Sequence, residues 1–246
     1  MFGIFSRKKS ILESGLLDGF TDHHSHLLPG VDDGFQTADL TLEALRTMEQ
    51  AGVADVWLTP HIMEDVPNTV GALKQRFEEF SATYNGSVRL HLAAENMMDG
   101  IFAERWRQRD ILMLGDSHPL IETSYFRAPI EMRGLIGEML NAGLHPILAH
   151  PERYKYMEQS DYEELKQLGL LFQLNLGSIA GCYSKHTKEK AEWLLENGYY
   201  DLMGSDIHNL RFYNHTINEP LPKKVIEAMR QIPNQLYLKS ATALIR

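Results

Sequence analysis

The chain has one cysteine, Cys182, among its 246 residues. No disulfide can form within it, and no zinc site built on paired thiolates. A lone thiol suits a reducing compartment, so a cytoplasmic location is the expectation. Surplus positive charge is also lacking: 24 Lys and Arg face 33 Asp and Glu, a formal net charge of −9. A basic stripe able to grip phosphate backbones is absent, which argues against nucleic acid as a partner. No apolar run is long enough to span a membrane. The start places Phe2, Ile4 and Phe5 before Arg7, Lys8 and Lys9, the reverse of a secretory signal. Residues 1–15 read as a flexible or peripherally packed extension. No Pro/Gly/Ser-rich linker divides the remainder of the chain, so 16–246 reads as a single domain.

What is present is a recurring unit. A helical segment ends at Gly52, Gly143, Gly169 or Gly198, and a short apolar run begins at once: 53–59, 144–149, 170–176 and 199–203. Glycine just past a helix supplies a left-handed cap. Continuously apolar runs suit parallel strands covered on both faces. Further strands are expected at 87–95, at 119–123 and at the run ending near His26. Helical periodicity fills 40–50, 70–84, 131–141, 162–168, 188–197 and 223–230, with a short terminal helix over 240–245. About seven strands alternating with helices predict one α/β domain, a distorted (β/α)7 barrel, with an open doubly wound sheet as the alternative.

Barrels of this type present their chemistry at the C-terminal strand ends. The expected strands end at His24 and His26, His61, Glu95, Glu122, His150, and Asp206 with His208. Asp22, His24 and His26 alternate along one strand and so share a face. Only the strand ending near Asn175 lacks an ionisable terminus. Buried apolar runs should not end in Glu or His unless those groups find partners. With Asp33, the set is five imidazoles and four carboxylates, more than one ion needs. Two or three ions with a bridging carboxylate would use them, and thiolate-free donors suit Mn, Fe or Zn better than copper. His23, His91, His118, His145, His186 and His215 lie off these ends and read as structural. Asp22 reads as a partner that orients an imidazole. Tyr125, Phe126, Tyr154 and Tyr156 stand near the expected mouth, where a ring could stack on substrate or simply pack.

The ordered segments Asp22-x-His24-x-His26, Leu28-Pro29-Gly30-Val31-Asp32-Asp33-Gly34, Thr59-Pro60-His61, Ala94-Glu95, Ile121-Glu122, Ala149-His150-Pro151-Glu152-Arg153-Tyr154 and Gly204-Ser205-Asp206-Ile207-His208-Asn209 resemble the polymerase and histidinol phosphatase (PHP) superfamily. More narrowly, the chain resembles the bacterial manganese-dependent protein-tyrosine phosphatases of capsule and exopolysaccharide operons, over about 21–209. That resemblance implies a distorted seven-stranded barrel with up to three Mn2+ ions, iron or zinc being alternatives. It places one ion on His24, His26, Glu95 and Asp206, a second on Glu95, Glu122 and His150, and a third on Asp33, His61 and His208. It implies that Arg153 holds phosphate, with Arg211 the nearest counterpart of a second family arginine. The implied partner is a phosphotyrosine protein, the tail of a bacterial tyrosine autokinase that controls polysaccharide export.

The implied reaction is hydrolysis of a phosphomonoester by a metal-activated hydroxide, with Arg153 donating to phosphate oxygens and Asp206 or a metal-bound water as proton donor. No phosphocysteine is expected, because six positions after Cys182 stands Lys188, where a cysteine-dependent tyrosine phosphatase would carry arginine. The runner-up substrate is a small phosphomonoester such as histidinol phosphate.

Overall fold

Short parallel strands and helices alternate along residues 8–236, which the computed structural model describes. The strands are β1 (Thr21–Ser25), β2 (Asp55–Leu58), β3 (His61–Ile62), β4 (Arg89–Leu92), β5 (Glu95–Met97), β6 (Leu120–Glu122), β7 (Ile147–Ala149), β8 (Leu171–Asn175) and β9 (Leu202–Gly204). The helices are α1 (Ala38–Gln50), α2 (Val70–Ser81), α3 (Phe102–Gln108), α4 (Met132–Asn141), α5 (Gln159–Leu168), α6 (Leu176–Ala180), α7 (Lys185–Glu196), α8 (Leu210–Asn218) and α9 (Lys223–Met229). The helix expected at 240–245 lies outside the described residues.

Local chemistry sets the helix ends. Thr37, Thr69, Ser184 and Asn209 each accept a backbone N–H of the first turn, starting α1, α2, α7 and α8. The four anticipated glycines all sit at positive φ just beyond a helix. Helices α3, α6 and α8 were not anticipated from periodicity. The first two are short, and α8 mixes His, Asn and Thr between Tyr213 and Ile217, although Asn209 before it is a readable cap.

Two all-parallel sheets result, β1-β2-β4 and β3-β5-β6-β7-β8-β9. A closed seven-strand ladder is not formed among the described residues. The strands expected at 53–59 and 87–95 are each followed by a break and a second short strand, β2 then β3 across Thr59-Pro60 and β4 then β5 across Ala93-Ala94. Pro60 has no N–H to donate. Beside it, the Thr59 hydroxyl replaces ladder bonds by accepting from Ser25 N (3.0 Å) and donating to Ser25 O (3.2 Å). Across the break, Ala93 N donates to Leu58 O (2.9 Å) and Glu95 N to Pro60 O (3.1 Å). At the other edge β9 runs along β1. The seam is stitched beyond the strand ends, by a parallel bridge between Ser25 and Ile207 and by Asp206 N donating to His24 O (2.8 Å).

Alternation along the strands sorts the core into two layers. Leu120, Ile147, Ala149, Leu171 and Leu202 form a small cluster on one face, while Ile121, Leu148, Phe172 and Met203 join the large cluster under the helices. At the N-terminal side, Ile11 is fully buried in the large cluster and Lys9 pairs with Leu221.

Candidate metal centre

The C-terminal ends of β1, β6, β7 and β9 converge with the first residues of β3 and β5, which follow directly on β2 and β4. His24 Nε2, His26 Nε2, Glu95 Oε2 and Asp206 Oδ1 lie 3.2–3.5 Å apart in the contacts they make with one another. His26, Asp33, His61 and His208 form a second group, and His61, Glu95 and Glu122 a third. His150 Nε2 reaches Glu95 Oε1 at 2.9 Å and Glu122 Oε1 at 3.6 Å. All nine sequence-selected side chains thus meet in one place. His24, His26, Glu95, Glu122, His150 and Asp206 are buried, whereas the Asp33 side chain is 69% exposed at the rim.

The outer ring nitrogens set the inner ones. His24 Nδ1 donates to Gln173 Oε1 (3.0 Å), His26 Nδ1 to Asp32 Oδ2 (2.8 Å) and His208 Nδ1 to the Asp206 carbonyl (2.9 Å). With the proton on Nδ1, each Nε2 presents a lone pair inward. Gln173 and Asn175 come from β8, whose end offered no ionisable group. Asn175 Nδ2 donates to Asp206 Oδ2 (2.8 Å). Neither amide is legible in the sequence, because a neutral side chain there carries no ligand signal.

Asp22 corrects one expectation. It orients no ring; its Oδ1 accepts from the backbone N of His24 (3.2 Å) and of Ser205 (2.8 Å), tying β1 to the end of β9. Burial pushes its carboxyl up to about 6 against those bonds. Asp206 stands among cationic and imidazole side chains. Its Oδ2 accepts from Arg153 Nη1 (2.7 Å) and Asn175, while Oδ1 faces three imidazoles. Burial alone would raise its carboxyl, but His24, His26, His208 and Arg153 hold it well below the carboxylate range. In the metal-free chain these contacts make it an acceptor.

Two glycines make the convergence sterically feasible. A Cβ on Gly204 would lie 2.5 Å from His24 Cβ, and one on Gly34 would lie 2.2 Å from the His26 carbonyl oxygen. His150 and Asp206 both adopt positive φ (33° and 51°). Left-handed backbone at non-glycine positions costs about 1–3 kcal/mol each and concentrates at functional sites.

Three features suit this donor set to divalent cations. Two inward ring nitrogens, His24 Nε2 and His26 Nε2, approach to 3.2 Å. His61 Nδ1 stands 3.1 Å from Glu95 Oε2 without hydrogen-bond geometry, and His150 Nδ1 is buried without a partner. Protonation in the metal-free chain is also contested. Burial disfavours charge on His24, yet Glu95 and Asp206 raise it to about 9. Burial, then the Glu95 charge, pushes Glu122 well above the usual carboxylate range. Cations would neutralise the carboxylates without needing those protons.

Arg153 lies between two rings, 4.6 Å from the centroid of Tyr125 and 4.4 Å from that of Tyr183. Its remaining N–H groups make no hydrogen bond among the described residues. Arg211 is exposed on α8 beside Asn209, Phe212 and His215. No ion pair joins it to the centre among the described residues. Of the mouth aromatics, Tyr154 is buried and donates to Ala149 O (3.0 Å), and Tyr156 pairs with Thr123 (2.7 Å), so both pack. Phe126 is 71% exposed. Cys182 is half-buried against Thr216, and burial raises its thiol, the opposite of an activated thiolate.

The family model described as capsular polysaccharide synthesis, CpsB/CapC, matches residues 20–246. The tyrosine-protein phosphatase YwqE of Bacillus subtilis (strain 168) is 26% identical over 232 residues, covering 92% of this chain and 91% of the relative. The tyrosine-protein phosphatase CpsB of Streptococcus agalactiae serotype V is 24% identical, covering 92% and 98%. A solved structure described under YwqE from Bacillus subtilis and CpsB from Streptococcus pneumoniae, unique metal-dependent tyrosine phosphatases, superposes with a TM-score of 0.74 at 23% identity, over 89% of this chain and 96% of the other. A phosphotriesterase homology protein from Escherichia coli, complexed with phosphate, shares the fold more distantly, with a TM-score of 0.51 at 13% identity over 87% and 92%.

Proposed function

The chain belongs to the capsular polysaccharide synthesis CpsB/CapC family, and from that premise we propose that it is a metal-dependent protein-tyrosine phosphatase. The observation that carries the reading is the meeting of His24, His26, Glu95 and Asp206 donor atoms within 4.8 Å of one another, beside two further groups of the same chemistry.

In this reading His24, His26, Glu95 and Asp206 hold one ion, and Glu95, Glu122 and His150 a second, with His61 at its edge. Asp33, His61 and His208 hold a third. Mn2+ is the ion proposed, because imidazole and carboxylate oxygen without sulfur suit it; iron and zinc are the competitors. When bound, such ions supply water activation near neutral pH and neutralisation of phosphoryl charge. The protein's own groups do the rest. Arg153, pinned to Asp206 through Nη1 and clamped between Tyr125 and Tyr183, aims its free N–H groups at phosphate oxygens. Arg211, three residues after His208, is the candidate for a second phosphate donor. Asp206 fixes Arg153 and stays ionised. A phenolate leaves readily, so the chain needs no strong proton donor beside it.

The two sheets are read as arcs of one distorted (β/α)7 barrel, a view supported by the β1–β9 seam and by the small cluster enclosed on the strands' other face. The family match begins at residue 20, but Ile11 is buried in the large cluster and Lys9 pairs with Leu221, so residues 9–15 are read as packed on the catalytic unit. The substrate is a phosphotyrosine protein, the tail of a tyrosine autokinase in capsule regulation, met in the cytoplasm. Among the described residues, no helix is long and apolar enough to cross a membrane.

Comparing phosphotyrosyl peptide, histidinol phosphate and single-stranded DNA as substrates of the Mn2+-loaded protein tests the assignment. Preference for the phosphotyrosyl peptide is expected. Equal or better turnover of histidinol phosphate would move the chain to small-molecule metabolism.

A further inference from the structure

Next to the centre, a cleft of about 710 Å3 opens between the loop after β5 and the loop after β6. It continues into a smaller one of about 280 Å3 that ends at Tyr125. The two share Glu64, Met97, Asp99 and Ser124, so they form one groove. Tyr125 joins groove to centre: its ring meets His150 (5.9 Å) and carries the Arg153 guanidinium.

The wall of this groove holds the two most exposed large apolar side chains among the described residues, Phe126 (71%) and Ile130 (104%). Solvent-facing isoleucine and phenylalanine on one loop beside a reactive centre are a feature of recognition surfaces. The groove is also acidic. Glu64, Asp65, Asp99 and Glu131 line it, and Glu64, Asp65 and Glu131 make no ion pair among the described residues; on the basic side are Arg127 and Lys155, whose Nζ stands 4.6 Å over the Phe126 ring. Methionine on the floor gives a surface that adapts to varied apolar shapes.

The geometry points to this groove as the docking site for the polypeptide on one side of the phosphotyrosine, with apolar residues against Phe126 and Ile130 and a basic residue facing Glu64, Asp65 and Glu131. This rests on the phosphotyrosine reading above and adds to it a sequence preference. Continuity with the centre and charge complementarity identify the occupant. A phosphate at Arg153 leaves its chain running past Tyr125 into the groove. Selectivity is therefore expected from flanking residues that never touch the centre.

The test is fluorescence anisotropy with the full-length, Mn2+-loaded protein. Fluorescein-labelled peptides carry a non-hydrolysable phosphonomethyl-phenylalanine flanked by Leu and Lys, or by Gly and Asp. The Leu/Lys peptide is expected to bind about tenfold or more tightly. Ile130→Asp and Phe126→Ala, both at exposed positions, should bring it to the level of the Gly/Asp peptide. Hydrolysis of para-nitrophenyl phosphate, which has no flanks, should stay within about twofold in both variants. Equal binding of the two peptides, or unchanged discrimination in both variants, overturns the groove assignment. Loss of para-nitrophenyl phosphate hydrolysis in the unmodified protein would instead overturn the phosphatase reading, and the binding comparison still reads the groove.

Discussion

At the scale of single residues, the centre depends on the groups standing behind its donors. Asp32 is the clearest case. It accepts from His26 Nδ1 and from the backbone N–H of His61 and Gly34. Asp32→Ala should lower metal affinity or activity about 10–100-fold while the fold persists, read by Mn2+ titration of aryl-phosphate hydrolysis. Arg153→Lys keeps the charge but loses the planar fork and the stacking on Tyr125 and Tyr183. Its kcat/KM for an aryl phosphate should fall about tenfold or more. His24 contributes to the pH dependence, beside His26, whose imidazole, against burial, the neighbouring carboxylates also raise. In the metal-free chain the His24 imidazole is raised from 6.5 to about 9. A raised folded value means a stabilising contribution fully present below 6.5 and lost as pH rises through about 9. The melting temperature of chelator-treated protein should therefore drop between pH 6.5 and 9, in a window set by that same shift. Protein loaded with Mn2+ should not show this drop, because the cation replaces the proton. A parallel decline in both forms would contradict the assignment.

At the scale of elements, the seam between β1 and β9 decides whether His24 and His26 meet Asp206. Gly204 permits it, since a methyl there would meet His24 Cβ at 2.5 Å and Gln173 Nε2 at 2.9 Å. Gly204→Ala should displace His24 and cut activity at least about tenfold, with a lowered melting temperature reporting the same clash. The sequence made much of this legible. Apolar runs opening after Gly52, Gly143, Gly169 and Gly198 announced parallel strands, and the His and Glu ending such runs announced the face that carries the chemistry. What could not be read was how strands break. Pro60 warned of an interruption, but the Thr59 hydroxyl bonds that bridge it come from tertiary placement. Nor could the roles of Gln173 and Asn175 be read, since neutral amides show their importance only through their partners. Asp22 looked like a ligand's companion, and only the structure showed it clasping two backbone N–H groups instead.

At the scale of the whole molecule, nine donors from the ends of four strands, the starts of β3 and β5 and the loop after β1 gather in one place, beside an arginine held between two tyrosines. The lone thiol, Cys182, sits between α6 and α8, hydrogen-bonded to Thr216. The measurement that bears most directly on a metal-held reaction is aryl-phosphate hydrolysis by protein stripped with a chelator, before and after Mn2+ is restored, in the natural sequence and in Cys182→Ser. Stripping is expected to abolish turnover and Mn2+ to restore it, with Cys182→Ser behaving like the natural sequence throughout. Hydrolysis that survives complete metal removal, or that vanishes with Cys182, would contradict the metal assignment.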